Sequence, residues 1–326
     1  MYASRRAPFF IVGSDRSGTT LLRLYLAANS RLAVPSESWF LIELFAAFPP
    51  GSVLDAAAID RATEIVTTHS RYSDGWRVDP VTLRHQFDGV SGVTLAEFID
   101  TLFRLETGVP EDGRWGDKTP EYAMHIDELA TVFPGAQFLH IVRDGRDVYL
   151  SLAEKRWRHR GSTPYELGRY WSRTVSVAHA AGERLGDQRY LLVKYEDLVL
   201  HTRTTLERVT AFLGAAFEES MLDAHGEAGD IITGKERSAG VHDKLFRPPR
   251  RADVARWRGH SRDFGVILAS GMMAEQLEAF RYPDPPTAPV ALLTRNLAAY
   301  HHLWLRYGVA RLKRWRSRLR PERQSR

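Results

Sequence analysis

The stretch Phe9–Asn29, FFIVGSDRSGTTLLRLYLAAN, governs how the rest of the chain is read. Four apolar residues, Phe9 to Val12, have the length and character of a short buried strand. Gly13-Ser14-Asp15-Arg16-Ser17-Gly18 reads as a turn. Thr19–Ala28 then has the spacing of a helix, with Leu21, Leu22, Leu24, Tyr25 and Ala28 on its apolar face. A strand that feeds a glycine-bearing turn into a helix start is an anion site. The first N–H groups of the helix lack internal partners, and the dipole favours negative charge there. Gly13 and Gly18 let the backbone fold tightly and approach a phosphate. The turn nearly matches the phosphate loop G-x-x-x-x-G-K-[ST]: Gly13, Gly18 and Thr20 are in register, but Thr19 stands where the lysine belongs. That lysine normally reaches the outer phosphates of a triphosphate. Its absence leaves Arg16 as the cation of the turn and points to a phosphate-type ligand other than a magnesium-bound triphosphate, the alternative being a plain strand–helix turn with no ligand.

Two later stretches repeat the pattern. Ala136–Asp144, AQFLHIVRD, is a buried strand ending in charge, Arg143-Asp144-Gly145-Arg146-Asp147, before a helix through Val148–Leu152. Arg189–Leu198, RYLLVKYEDL, reads as a third strand, with the long helix Tyr165–Leu185 before it and the helix Thr202–Leu213 after it. Successive strand–helix units make a parallel sheet covered by helices on both faces, an α/β fold of three layers like that of phosphate-loop proteins. In such sheets ligands bind beyond the carboxyl ends of the strands, where Arg143 stands. The RDGRD run can equally pair with itself.

Between these units the readings stay open. Leu32–Val34 suits a short strand ended by Pro35, and Ser36-Glu37-Ser38 follows on a loop. A helix of about ten residues carries the chain ~15 Å away, and a strand brings it back. Glu37 can therefore lie near the anion site, or in the first turn of a helix over Trp39–Phe48 capped by Ser36. Ala56–Ser70 and Thr94–Leu105 have helical spacing, and Tyr72–Val78 reads as a polar loop. No chemical motif falls in residues 49–112, which suit a substrate-facing insertion. In Arg114–Ala123, RWGDKTPEYA, Lys118 sits between an acid and a Thr-Pro turn, with Trp115 and Pro120 close by to hold it.

The whole chain bounds these readings. Its 326 residues are enough for a full core, and 44% hydrophobic with 26% charged content is ordinary for a globular protein. There is no cysteine, which excludes disulfides, thiolate catalysis and thiolate metal sites. No apolar run approaches the ~20 residues that span a bilayer. The N-terminal apolar run is too short for a signal peptide, so the expected setting is cytoplasmic. The formal charge of +5 is uneven. Residues 291–326 hold ten Lys or Arg against Glu322 alone, a net +9, and the remainder carries −4, so the charge gives no argument for a nucleic-acid-binding core. Residues 226–263 are rich in Gly, Pro and basic residues, with Arg247, Arg250, Arg251, Arg256 and Arg258, and suit an arm that closes on an anion; Trp257 favours that over a plain solvated loop. Pro283–Pro289 reads as a stiff linker. Beyond it Leu293, Leu297, Tyr300, Trp304, Tyr307, Leu312, Trp315 and Leu319 fall on one helical stripe among arginines. Such a basic amphipathic helix can lie on an anionic membrane over residues 291–320, or pack on the core or on a second subunit of a homodimer.

In combination these motifs resemble the sulfotransferases that use 3′-phosphoadenosine 5′-phosphosulfate (PAPS), over about residues 8–265. Arg16-Ser17-Gly18-Thr19-Thr20 resembles that family's 5′-phosphosulfate loop. RDGRDVYLS, with Arg143 and Ser151 eight apart, resembles its 3′-phosphate motif. Tyr195 in VKYEDL resembles a cofactor-contacting tyrosine, and Arg256-Trp257 the late basic segment that closes over the donor. The sugar and tyrosylprotein branches carry a glutamate base about twenty residues after the loop arginine, which is the place of Glu37. The branch acting on phenols and steroids carries a histidine near Lys118, and none is present here.

The resemblance implies in-line sulfuryl transfer without a metal. Glu37 would be the base, and Arg16 and Lys118 would stabilise charge with Thr19 and Thr20. Arg143, Ser151 and Arg256 would hold the 3′-phosphate. With the proline-rich run and the basic stripe, the chain is expected to divide into a sulfotransferase domain over 1–282, a linker over 283–290 and a tail over 291–326. The expected acceptor is a hydroxyl or amine of a glycan, glycolipid or small metabolite, admitted by Trp39, Phe40, Phe45, Phe48 and Trp76. Two rival readings are a kinase with a degenerate phosphate loop and a non-catalytic, membrane-associated nucleotide-binding protein.

Overall fold

The structure is a computed structural model that describes residues 7–155, 162–226 and 246–308. The glycine-rich run 227–245 and the end of the basic tail, 309–326, lie outside the described residues. The chain forms two compact units, residues 1–143 with 174–254 and residues 144–173 with 255–326.

The first unit is built on a parallel sheet. In chain order its elements are β1 (Phe9–Val12), α1 (Thr19–Ala27), β2 (Leu32–Ala33), α2 (Leu41–Ala47), β3 (Val53–Leu54), α3 (Ala56–Thr68), α4 (Tyr72–Gly75), α5 (Pro80–His85), β4 (Val93–Thr94), α6 (Leu95–Thr107), β5 (Arg114–Asp117), α7 (Ile126–Val132) and β6 (Gln137–Val142). After α8 (Gly145–Lys155), which opens the second unit, come α9 (Pro164–Leu185), β7 (Tyr190–Lys194), α10 (Tyr195–Leu200) and α11 (Thr202–Leu213). Five strands lie in the order β2–β5–β1–β6–β7, all parallel, and β3 with β4 makes a separate antiparallel pair. Every residue of β1 is buried, as both faces of its sheet are covered. The two-residue alternation sends Phe10, Val12 and Phe138 into one core, with α2, α3, α6 and α7. Phe9, Ile11, Leu139 and Ile141 go into the other, with α1, α10 and α11.

The α/β, three-layer reading therefore holds, and several local expectations change. Tyr72–Val78 is not a polar loop. Its four-residue spacing turns Tyr72 and Trp76 inward, where both are buried with Val78. RWGD is the strand β5, and its first residue is tied down by backbone: Arg114 donates to the carbonyls of Ala7 (2.7 Å), Pro8 (3.1 Å) and Leu213 (2.7 Å). The third strand stops at Lys194, so that Tyr195 opens α10. The aromatics expected to line an acceptor pocket largely belong to the core. Phe40 stacks edge-on against Trp76, and Trp76 against Phe103, with ring centroids 4.9 Å apart in each pair. Phe48 is buried and Phe45 packs against the same core.

Helix α6 is held at its start by a capping box. The Thr94 hydroxyl accepts from the Glu97 N–H (3.2 Å), and the Glu97 carboxylate accepts from the Thr94 N–H (2.8 Å). Thr94→Ala should cost about 1 kcal/mol and lower the melting midpoint by about 2–4 °C in a thermal melt.

The second unit contains α8, the first part of α9, a short turn over Arg256–His260, α12 (Phe264–Ala279) and α13 (Ala288–Leu303), followed by a wider turn at Trp304–Gly308. Ala288 and Pro289 of the expected linker instead open α13, with the proline at the second helical position, in the first turn where a missing N–H costs nothing. Arg146 organises this unit. It is buried and pairs in bidentate fashion with Asp144 (2.9 and 2.7 Å). It donates to the carbonyls of Pro283 (2.6 Å) and Asp284 (2.9 Å) and stacks 3.5 Å from the Trp257 ring centroid.

Candidate functional site

Parallel strands share one carboxyl edge. The chain leaves β1 toward β2 on one side and later takes up β6 on the other, so the crevice beyond β1 and β6 is the switch point of the sheet. The Gly13–Gly18 turn follows β1, Lys118 follows β5, Arg143 follows β6 and Tyr195 follows β7.

The turn has the backbone of an anion cradle. Arg16 (φ 67°) and Gly18 (φ 100°) are left-handed, and Ser17 folds back on the Ser14 carbonyl through its N–H (3.2 Å) and hydroxyl (2.6 Å). Gly18 precedes α1 and offers its first turn no side-chain cap. A Cβ on Gly18 would lie 2.4 Å from the Tyr195 ring, so this glycine is required by conformation and by contact. The Arg143 guanidinium sits 4.3 Å from the Tyr195 ring centroid and donates to the carbonyls of Arg16 (3.4 Å) and Asp253 (2.9 Å). Arg16, Gly18, Tyr195 and Arg143 thus form one cluster, with Ser17, Thr19 and Thr20 buried in the turn and helix start.

A second cluster joins it through Thr20. The fully buried Lys118 ammonium donates to the Thr20 hydroxyl (3.2 Å) and to Glu37 Oε1 (2.5 Å). Glu37 Oε2 accepts from the Trp39 indole N–H (2.8 Å), and its carbonyl from the Trp76 indole N–H (3.4 Å). Glu37 is not in a helix, because α2 begins only at Leu41. Pairing of β2 with β5, Leu32 opposite Arg114, brings the loop after one strand to the residue after the other. Trp39 takes a left-handed φ of 57° to present its indole, a local strain of the kind kept at working sites.

Behind this pair lies a buried polar network that sequence reasoning missed. Asp117 accepts from the hydroxyls of Ser38 and Thr119 (the latter at 2.8 Å), and Ser38 Oγ meets the Tyr122 hydroxyl at 2.7 Å. Ser38 N–H donates to Thr119 Oγ1 (3.2 Å). Burial pushes the Asp117 carboxyl up to about 7 and the Tyr122 phenol well above its ordinary range. Ser38 neighbours Glu37 and Asp117 neighbours Lys118, so the network fastens together the two backbones that carry the ion pair. Its residues are scattered in sequence, and only the Asp-Lys-Thr run hinted at it.

Ser151 and Arg256 belong to the second unit. Ser151 is buried in α8, and Arg256 pairs with Glu154 at 2.6 Å. There the RDGRD run does pair with itself in part, through Arg146 and Asp144, and Asp147 accepts from the Trp257 N–H (2.8 Å). Among the described residues no group of three His, Asp or Glu side chains is placed to hold a metal ion.

The profile of the sulfotransferase family matches residues 8–219. The chain belongs to the sulfotransferase family. The enzyme class and the donor expected from the loop and the RDGRD motif, PAPS, agree with that membership. This sulfotransferase is 26% identical to Protein-tyrosine sulfotransferase A of Caenorhabditis elegans over 305 residues, covering 88% of this chain and 70% of that one. It is 25% identical to Protein-tyrosine sulfotransferase 2 of Gallus gallus over 289 residues, covering 79% and 65%. The sulfotransferase domain from the Curacin biosynthetic pathway shares its fold, with a TM-score of 0.60 and 20% identity over 84% of this chain and 99% of that domain.

Proposed function

We propose that this sulfotransferase moves the sulfuryl group of PAPS to the phenolic hydroxyl of a tyrosine in a protein or peptide, with Glu37 as the base. The observation that carries the reading is the continuous path Thr20–Lys118–Glu37, which ties a carboxylate to the anion-binding helix start. Glu37 takes the proton of the acceptor hydroxyl as the oxygen attacks sulfur, and the bond from sulfur to the bridging oxygen of the leaving bisphosphate breaks. Lys118, Arg16 and the hydroxyls of Thr19 and Thr20 face the charge that builds on those oxygens. Arg143 takes the 3′-phosphate, and Tyr195 closes against the turn. The roles the motif implies for Ser151 and Arg256 are kept as part of the proposal. A tyrosine acceptor is favoured over a glycan, glycolipid or metabolite on two grounds. The curated relatives are protein-tyrosine sulfotransferases by name. The aromatics that argued for a sugar or lipid pocket are largely spent in the core.

Calorimetric titration with 3′-phosphoadenosine 5′-phosphate, beside ADP and magnesium-ATP, tests the donor site. The bisphosphate should bind tightly and alone, and Arg143→Ala should weaken it by at least about tenfold, the worth of a charge-assisted hydrogen bond. Binding of magnesium-ATP in its place would overturn the reading in favour of a kinase. Transfer of label from donor to a tyrosine peptide, absent from its phenylalanine twin, tests the acceptor. Label on a sugar hydroxyl with none on the peptide would refute it.

A further inference from the structure

Helix α13 is packed with its small side inward. Its buried residues are Ala291, Thr294 and Ala298, spaced three and four apart. This lean face lets α13 lie close on α12, where a Cβ on Gly271 would collide with the Thr294 side chain. The large apolar side chains point the other way. Leu292 (61% exposed), Leu293 (60%), Tyr300 (74%) and Trp304 (58%) stand in solvent with Val290, Leu297 and Leu303. Val290, Leu293, Leu297, Tyr300 and Trp304 follow one another at helical intervals, so the stripe is continuous. Isolated exposed leucines are ordinary, but a contiguous apolar face of this kind is a contact surface.

We infer that the outer face of α13 docks on an anionic lipid surface. Charge selects this occupant over a second copy of the chain. By sequence, residues 291–326 hold ten Lys or Arg and one acid, of which Arg295 and Arg306 are among the described residues. A second copy would bring the same net positive charge over this stretch of sequence, so that like charge meets like, whereas an anionic leaflet attracts each basic residue. Arg295 is exposed on α13 itself, and Arg306 lies just beyond it, paired with Glu166 at 2.5 Å. Tyr and Trp on the apolar face suit the headgroup boundary, where a ring can be half in water. Among the described residues no helix is long and apolar enough to cross a bilayer.

Co-sedimentation of the full chain with vesicles tests this, using phosphatidylcholine alone and phosphatidylcholine mixed with phosphatidylglycerol. The protein should sediment with the mixed vesicles, far less with the neutral ones, and should be released as salt is raised. The double variant Leu293→Glu, Leu297→Glu should bind the mixed vesicles at least tenfold more weakly, with its melting midpoint and its bisphosphate binding unchanged. Equal vesicle binding by the variant would overturn the inference. So would a failure of the full chain to bind mixed vesicles at low salt. A dimer by light scattering that the variant dissociates, with no vesicle binding by the parent, would overturn it in favour of a second copy.

Discussion

Glu37→Gln is expected to lower turnover by at least about a hundredfold while the 3′,5′-bisphosphate still binds, the effect of removing a positioned base. That loss corresponds to about 2.7 kcal/mol in the barrier. Glutamine keeps the size of the side chain but can offer only one acceptor oxygen, whereas Glu37 accepts from both Lys118 and Trp39. The substitution therefore removes the base and also leaves one of the two donors facing an amide N–H. Lys118 is fully buried, so part of the effect will appear as lost stability, and the melting midpoint should fall too. Steady-state turnover with labelled donor and calorimetry with the bisphosphate separate the two effects. Full activity in the variant would reject Glu37 as the base. The double variant Glu37→Gln, Lys118→Met resolves the role of the lysine. If Lys118 only holds Glu37 in place, the double variant should be no slower than the single one. If Lys118 also stabilises charge on the leaving oxygen, the losses should compound.

How much of this was legible beforehand depended on the kind of signal. The β1 strand, the turn and α1 were legible because glycines, hydroxyls and a four-residue apolar run sit next to one another in sequence. β5 was not, because its one large apolar residue, Trp115, lies between Arg114, whose partners are remote backbone carbonyls, and Asp117, whose partners are buried hydroxyls. Glu37 admitted two placements at equal spacing, and the pairing of β2 with β5 chooses between them. Of the apolar stripe expected near the end of the chain, the part among the described residues, Leu293, Leu297, Tyr300 and Trp304, does stand on one exposed side, while Leu312, Trp315 and Leu319 lie outside the described residues. The direction of the stripe was hidden, because hydrophobic periodicity marks a face without saying what covers it. Close packing on the small residues Ala291, Thr294 and Ala298 put the large ones outside. The aromatics at Phe40, Phe48 and Trp76 show the opposite failure: they looked available for a ligand and are core.

The buried carboxyl behind the ion pair should make stability depend on pH in an unusual direction. Asp117 is held at about 7 by burial, against an ordinary value near 3.8. A carboxyl whose folded value is raised binds its proton more firmly in the fold than in the unfolded chain. Its contribution is complete below about 4 and is lost as the pH rises through about 7, by up to ~4 kcal/mol. Paired surface carboxylates such as Glu219, held low by Arg203, act below that window and with the opposite sign. His140 is the main opponent inside it. Burial lowers its imidazole to about 3, so its contribution grows as the pH rises to about 6.5. The parent protein alone should therefore show a muted slope. Asp117→Asn removes one titration and leaves the other, so the informative quantity is the difference between the two unfolding free energies from denaturant melts. Relative to the variant, the parent should lose stability from pH 4 to pH 7 and then run parallel to it. Ser38 and Thr119 can turn their hydroxyls to an amide oxygen, so the variant should fold. A difference that stays flat across the window would mean that Asp117 ionises in the fold as it does in the unfolded chain. The network between Ser38, Thr119 and Tyr122 would then be supporting a charge beside Lys118 and Glu37, and the double-variant result would need to be read with a third ionised partner in the cluster.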